Sequence, residues 1–348
     1  MIDTTAMISA ATRIMPMFRK VRDCAGWAAI LIACVALLAL SAGPSLASEG
    51  GSSFYLLGQR GQGAGILPPV EGVFFSVPNY FYSGHESGSQ SLPIGGTVSL
   101  GVDADVYLTL PTVLWVTPVD VLGGDLAFSA TYVYGNADTT ANLAVSIPGI
   151  VSGSVGDSDN RWTSGDPVVG AMIGWHEENL HYLLVTTVNI PVIGTYDTGR
   201  LSNIALNRWA GDITAAATWL AKGTAIELSG AAGVTFNGEN DDTDYRTGTD
   251  SHFEAAAFYN FSKVISAGLN GYYYQQLTGD SGAGAALGSF KGRVAALGPG
   301  MSANLQLGPV PVTMNFRYFR EFSAKNRLEG DTGWLTVSIP LWVPDTKR

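Results

Sequence analysis

Cysteine is almost missing from this 348-residue chain: the two present, Cys24 and Cys34, both fall in its first 47 residues. Long apolar runs are as scarce, since only Ala25 to Ala42 approaches the roughly 20 residues that a membrane-crossing helix needs. Positive charge is thin too, with 19 Lys and Arg against 29 Asp and Glu. Each scarcity excludes a class of protein once the amino-terminal segment is set aside. Arg13, Arg19, Lys20 and Arg22 form a basic stretch, Ala25 to Leu40 an apolar core, and Ser45-Leu46-Ala47 a small-x-small cleavage pattern, so residues 1–47 read as a secretory signal peptide. A single membrane anchor is the competing reading, but Gly43-Pro44 interrupts the run. The 301 residues that follow hold no cysteine, which excludes a disulfide scaffold and a thiolate metal site. They carry 15 Lys and Arg against 27 Asp and Glu, a formal net charge of -12 that argues against nucleic acid or an anionic surface as partner. Spanning helices are excluded as well, whereas barrel strands, whose signal is far weaker per segment, are not.

What the chain does have is alternation. Val98, Leu100, Val102, Ala104, Val106, Leu108 and Leu110 interleave with Ser99, Gly101, Asp103, Asp105, Tyr107 and Thr109, the period of a strand with one apolar and one polar face. Twelve strands are expected, at 72–83, 97–110, 124–135, 166–176, 179–189, 209–219, 224–236, 251–261, 264–276, 292–307, 311–321 and 332–342. Counting back from the last strand, the connections 308–310, 262–263, 220–223 and 177–178 are short. The connections 322–331, 277–291, 237–250, 190–208, 136–165 and 84–96 are longer, which is the asymmetry of an outer-membrane barrel with periplasmic turns and outer loops. Aromatic residues near strand ends fit the same reading, because Trp and Tyr suit the boundary between hydrocarbon and water.

The expected fold class is therefore all-β, a transmembrane antiparallel β-barrel of about 12 strands over 72–342, with a tail at 343–348. One connection on the short side, 111–123, is long and holds Pro111 and Pro118, so it reads as an irregular strand or a distortion of the wall. Residues 141–148 read as part of one outer loop with 152–165, or as an extra hairpin that would raise the count to 14. A soluble two-sheet sandwich is the alternative that periodicity alone leaves open. Residues 48–71 are irregular and proline-bearing; backbone of that kind survives at membrane depth only when shielded, so they are expected in the lumen or across its periplasmic mouth rather than as a loose tail.

The stretch from Asn237 to Gly248, with Asn240, Thr243, Tyr245 and Thr247 at their spacings, resembles the N-x-x-T-x-Y-x-S/T-G pattern of the phenol-degradation MetA-pathway family of outer-membrane channels. The run Gly271-Tyr272-Tyr273-Tyr274-Gln275-Gln276-Leu277-Thr278-Gly279-Asp280-Ser281-Gly282 is similar to that family's G-Y-x-Y-x-Q-x-T-x-D-x-G signature. Gly292, Leu297-Gly298-Pro299-Gly300 and Asn326-Arg327-Leu328-Glu329-Gly330 follow in the family's order. The resemblance implies a twelve-stranded barrel, distantly similar to fatty-acid and aromatic-hydrocarbon channels, that passes small hydrophobic or aromatic molecules. Families of this kind commonly end on a terminal Phe or Trp read by the insertion machinery; here six residues, Val343 to Arg348, follow Trp342.

Strand parity assigns Asp103, Asp105, Tyr107, Glu227, Glu254, Asn270, Tyr272, Tyr274, Asn315 and Arg317 to the lumen as a candidate substrate path. Tyrosine offers a solute both apolar area and a hydroxyl, and acids facing an arginine across a bore make a field that orients dipoles. Any one of these residues is also explained by wetting the lumen. No catalytic, cofactor or metal residues are assigned. Glu239, Asp241, Asp242 and Asp244 do not have the spacing of a calcium loop and read as solvated loop. His181 with Asp103, or His252 with Glu254, would be the pairs from which to build an enzyme, but hydrogen bonding explains them more simply. The expected partners are small-molecule solutes, outer-membrane lipid and lipopolysaccharide, and the insertion machinery, with the barrel a monomer. A polar-solute porin and a structural barrel closed by residues 48–71 are the competing functions, and the deciding feature is a continuous path, opening to water or sideways near Pro111, Pro118 or Pro340.

Overall fold

The computed structural model describes residues 49, 53–91, 97–147, 151–285 and 288–344; the expected signal peptide and the last four residues lie outside the described residues. The chain forms β1 (Gly72–Ser91), β2 (Thr97–Thr109), β3 (Thr112–Val121), β4 (Gly124–Thr131), β5 (Tyr134–Ile147) and β6 (Val151–Ser164). There follow β7 (Val168–Glu177), β8 (Leu180–Asn189), β9 (Ala210–Leu220), β10 (Ile226–Asn237), the two-residue β11 (Glu239–Asn240) and β12 (Tyr245–Arg246), and β13 (Asp250–Asn260). The last four are β14 (Ile265–Gln276), β15 (Arg293–Leu307), β16 (Val310–Lys325) and β17 (Glu329–Trp342). Every pairing is antiparallel, and β17 returns to β1 in a register running from Val73 opposite Trp342 to His85 opposite Glu329. The closed wall therefore reads β1-β3-β4-β7-β8-β9-β10-β13-β14-β15-β16-β17, a barrel of 12 strands.

The faces of these strands invert the rule of a soluble sheet. In β10, Ile226, Leu228 and Phe236 point out and are exposed, while Glu227, Ser229 and Thr235 are buried inside. In β9, Ile213 and Trp219 point out, and Asp212, Thr214 and Thr218 point in. Apolar area left uncovered on this scale is stable only against lipid, which rules out the sandwich. Exposed aromatics ring both edges of the band: Phe81, Trp162, Trp209, Phe236, Phe253 and Tyr273 at the long-loop end, and Tyr182, Trp219, Tyr259, Phe261 and Trp342 at the short-turn end. Rings at these two levels mark the two water interfaces.

Two sequence expectations are corrected in the first half of the barrel: 97–110 is not a wall strand, and 136–165 is not a loop. The irregular-strand reading of residues 111–123 holds, and that strand takes the wall position: β3 runs through them and closes onto β4 by a two-residue turn, with Leu122 and Gly123 both at positive φ. That is the backbone twist a tight hairpin selects. Pro118 lies where the register between β3 and β4 shifts, between Val116 and Asp120, a place where its missing N–H costs no ladder bond. Residues 136–165 are not a loop, because β5 and β6 pair along their whole length from Tyr134 opposite Ser164 to Ile147 opposite Val151. They add no strand to the barrel, since each continues a wall strand beyond the membrane.

The continuation is marked by a line of interruptions across neighbouring strands. β1 pairs with β3 through Ser76 and with β2 from Asn79 onward. Leu110-Pro111, Tyr132-Val133 and Gly165-Asp166-Pro167 separate β2 from β3, β5 from β4 and β6 from β7. Main-chain bonds bridge the line, Leu110 N to Pro78 O at 2.8 Å, Tyr132 N to Pro111 O at 3.0 Å and Ile190 N to Pro167 O at 3.0 Å. Below it, β3, β4, β7 and β8 have 10, 8, 10 and 10 residues, about one crossing each. Above it stands a sheet of upper β1, β2, β5 and β6, whose outermost strand is flanked by the segment 190–208. Asp159 of β6 accepts the Ser202 N–H at 3.0 Å and pairs with Arg200, which seats that segment against the sheet.

Candidate functional site

The barrel is not empty. Residues 53–71 thread it from the outer loops to the start of β1, and inward-facing wall residues bond to their main chain. Glu254 of β13 accepts the Gly58 N–H at 3.0 Å with one oxygen and the Arg60 N–H at 2.8 Å with the other. Glu227 of β10 accepts the Gly63 N–H at 2.7 Å and the Gln62 amide at 2.9 Å, and Thr218 of β9 accepts the Gly65 N–H at 2.9 Å. In return the Trp334 indole donates to the Leu57 carbonyl at 3.0 Å. Irregular backbone is thereby satisfied at membrane depth, as it has to be where water is excluded.

Apolar packing fixes the same segment at two levels. Tyr55 and Leu57 join Tyr80, Leu108, Phe319 and Trp334 in one buried cluster, and Ala64 and Leu67 join Val116, Leu183 and Val185 in another. Tyr55 also stacks on His252, with ring centroids 3.4 Å apart. His252 Nε2 lies 2.8 Å from Asp212 Oδ2, and Asp212 in turn accepts the hydroxyls of Thr214 and Thr235. The close fit depends on glycine at Gly65, where a Cβ would stand 2.6 Å from the backbone of Ala217.

Between this segment and the opposite wall lies a cavity of about 500 Å³. Leu108, Leu110, Leu114 and Val133 come to it from the interrupted strands, Tyr55, Leu56 and Leu57 from the amino-terminal segment, and Ile204 and Leu206 from the segment 190–208. Thr112, Thr131, Thr139, Thr187, Asn189 and Asn203 add polar groups, and Arg60, Asp166, Asp212 and Arg327 add charged ones. The volume is that of a site for a small organic molecule, and the lining combines apolar side chains with a substantial polar share. Asp166 does not face it free, because it accepts the N–H groups of Leu206 and Asn207 at 2.8 and 3.1 Å and holds the segment 190–208 to the wall.

The ten residues that parity assigned to the lumen divide into two groups. Asp103, Asp105 and Tyr107 are corrected: Ala104, Val106, Leu108 and Leu110 face the cavity, so the alternate set points out. The reason is that β2 stands above the line of interruptions, where its outer face meets water rather than lipid and its apolar face turns inward. Tyr107 sits in the outer aromatic ring, 5.1 Å from Phe81 and 5.8 Å from Trp162 between ring centroids. Glu227, Glu254, Asn270, Tyr272, Tyr274 and Arg317 are buried inside the barrel, with Asn315 on the same face of β16 as Arg317. None of the ten borders the cavity. Glu227 and Glu254 hold the amino-terminal segment, and Tyr272 and Tyr274 donate to Glu321 at 2.8 Å and Asp250 at 2.6 Å. A Cβ on Gly61 would stand 2.8 Å from Arg317 and 3.0 Å from Asn270, so the segment passes directly over that pair.

The motifs of the second half close the outer end. Asp280 accepts the Tyr245 hydroxyl at 2.7 Å, the Gly248 N–H at 3.0 Å and the Gln276 amide at 2.6 Å, and Asn237 donates to the Gly248 carbonyl at 2.8 Å. The loops before β13 and after β14 are thus tied together by the spaced residues themselves. Glu49 enters the same region. Its carboxylate accepts from Thr243 at 2.5 Å, Asn240 at 2.9 Å and Tyr196 at 3.2 Å, and pairs with Arg208 at 3.3 Å. Burial pushes the Arg208 guanidinium below its ordinary value, and Glu49 pulls it back. Sequence reading missed Glu49, Arg208, Asp212 and Glu321; the inward parity of β9 and β16 was the signal available for Asp212 and Glu321. Among the described residues no group of three or more His, Cys, Asp or Glu is placed to hold a metal ion.

The fold has solved counterparts. An outer-membrane channel from Pseudomonas putida F1 superposes with a TM-score of 0.60 at 13% identity, covering 79% of this chain and 99% of that one. The toluene transporter TbuX of Ralstonia pickettii gives 0.36 at 9% identity over 78% of this chain and 90% of that one, and a FadL homologue of Pseudomonas aeruginosa gives 0.35 at 11% over 78% and 89%. Those two scores are too low to carry an argument. No curated protein matches the chain. The family model described as "Putative MetA-pathway of phenol degradation" matches residues 87–337, most of the barrel, and with the closed 12-stranded wall this makes the chain an outer-membrane β-barrel belonging to that family.

Proposed function

We propose that the protein is a channel for passive uptake of small hydrophobic or aromatic molecules across the outer membrane. The observation that carries this reading is the cavity: the barrel holds about 500 Å³ where leucine, valine and tyrosine side chains gather beside threonine hydroxyls and the charged Arg60, Asp166, Asp212 and Arg327. Selectivity on this reading comes from apolar area and a few hydroxyls, which bind a solute weakly enough to release it. The polar inner residues Glu227, Glu254 and Thr218 act by holding the segment that forms one wall of the cavity. Solutes leave where the ladder is interrupted beside the cavity, at Leu110-Pro111 and Gly165-Pro167, because Leu110 and Asp166 in these interruptions line the cavity. The family's description, which names phenol degradation, agrees with an aromatic solute.

The test is uptake of an uncharged aromatic, phenol, into liposomes carrying the full barrel, with single-channel conductance measured in parallel. Aromatic uptake with low ion conductance is the expected result. High conductance without aromatic uptake would make it a polar-solute porin, and silence in both a structural barrel. Leu110→Trp, which fills the cavity from β2's end, is expected to lower aromatic flux several-fold while the barrel still folds.

A further inference from the structure

We propose that the outer mouth carries a carboxylate-binding site, occupied in cis by Glu49, at which a solute bearing a carboxylate, such as an aromatic acid, exchanges with that side chain. The inference rests on the channel reading and narrows its solute class. Four donors of different chemistry converge on one carboxylate: the Thr243 hydroxyl at 2.5 Å, the Asn240 amide at 2.9 Å and the Tyr196 hydroxyl at 3.2 Å on Oε1, and the Arg208 guanidinium at 3.3 Å on Oε2. The Glu49 N–H donates to Thr247 at 3.3 Å. Arg208 and Asn240 are fully buried, so the donors belong to the folded loops and are not side chains that drift onto a surface acid. Arg208 also reaches Asn237 at 3.5 Å and Asn240 is held within its own loop, which leaves the cradle formed when Glu49 departs. Charge-assisted bonds from a planar guanidinium and an amide suit any carboxylate of the same reach.

A second feature makes exchange feasible: a polar cleft of about 450 Å³, lined by Arg161, Tyr196, Asp242 and their neighbours, opens among the outer loops and shares Tyr196 with the cradle. A tethered side chain competes at an effective concentration on the order of millimolar, so a free carboxylate binds weakly until Glu49 is removed.

Titration of the full barrel in detergent with 4-fluorobenzoate, followed by fluorine NMR, tests this directly, with neutral 4-fluorobenzyl alcohol as the control. Glu49→Ala is expected to tighten fluorobenzoate at least ten-fold and leave the alcohol unchanged, and Thr243→Val added to it is expected to reverse the gain. Equal fluorobenzoate affinity with and without Glu49, or an equal gain for the alcohol, would overturn the proposal. Phenol uptake on the same preparations reads the channel function separately, because phenol lacks the group the cradle binds.

Discussion

Two carboxylates carry much of the order inside the barrel. Glu254 and Glu227 were legible as inward-facing from strand parity alone, yet nothing local in the sequence showed that their partners are main-chain N–H groups 194 and 164 residues away. Glu254→Ala would leave the Gly58 and Arg60 N–H groups buried without an acceptor. Each such group costs about 1–3 kcal/mol, so the segment is expected to loosen and single-channel conductance to rise in planar bilayers. Gly65→Val drives a side chain into the Ala217 backbone, which is 2.6 Å from the nearest Cβ position, and should produce the same rise by unseating the segment. An unchanged conductance in both variants would mean that the segment does not limit the bore.

At the scale of the strand, the polarity code depends on what surrounds each stretch of chain. β10, β13 and β14 cross lipid and read apolar-out, whereas β2 alternates just as cleanly and reads apolar-in. Periodicity is identical in the two cases because it follows from the pleat; the sign of the face follows from the medium, and the medium changes where β2 rises above Pro111. The contrast gives a paired measurement. Leu269 lies near the middle of β14 and points into lipid, so Leu269→Arg is expected to cost about 2–4 kcal/mol in urea-dependent folding into vesicles. Asp103→Asn, on the exposed face of β2, should stay within about 0.5 kcal/mol. Comparable losses from the two substitutions would contradict the placement of β2 beyond the lipid. The same change of medium explains why 136–165 reads as loop: its Ser, Gly and Asp content suits strands that are wet on their outer face, and an apolar pattern of membrane type is absent there.

For the whole molecule, the amino-terminal segment occupies part of the barrel interior. It supplies Tyr55, Leu57, Ala64 and Leu67 to the two buried clusters and walls the cavity on one side. Deleting residues 48–66 is expected to leave a heat-modifiable barrel, since ladder bonds around the closed wall do not involve them, but to raise conductance and abolish selectivity for aromatic over polar solutes in liposomes. A deletion variant that still discriminates would place selectivity in the wall alone. Class, a wall of 12 strands and the crossings from β7 onward were determined by the sequence itself, because a pleated strand between lipid and water imposes a two-residue period and its connections differ in length on the two sides. In the first half the pattern at 97–110 reads as a crossing, where β3 is the wall strand instead. The tertiary structure alone decided which face of β2 is inside, what Glu227 and Glu254 bind and where Glu49 docks. Those outcomes depend on closure of the wall and on contacts between residues far apart in the chain, and a two-residue period contains no information about either.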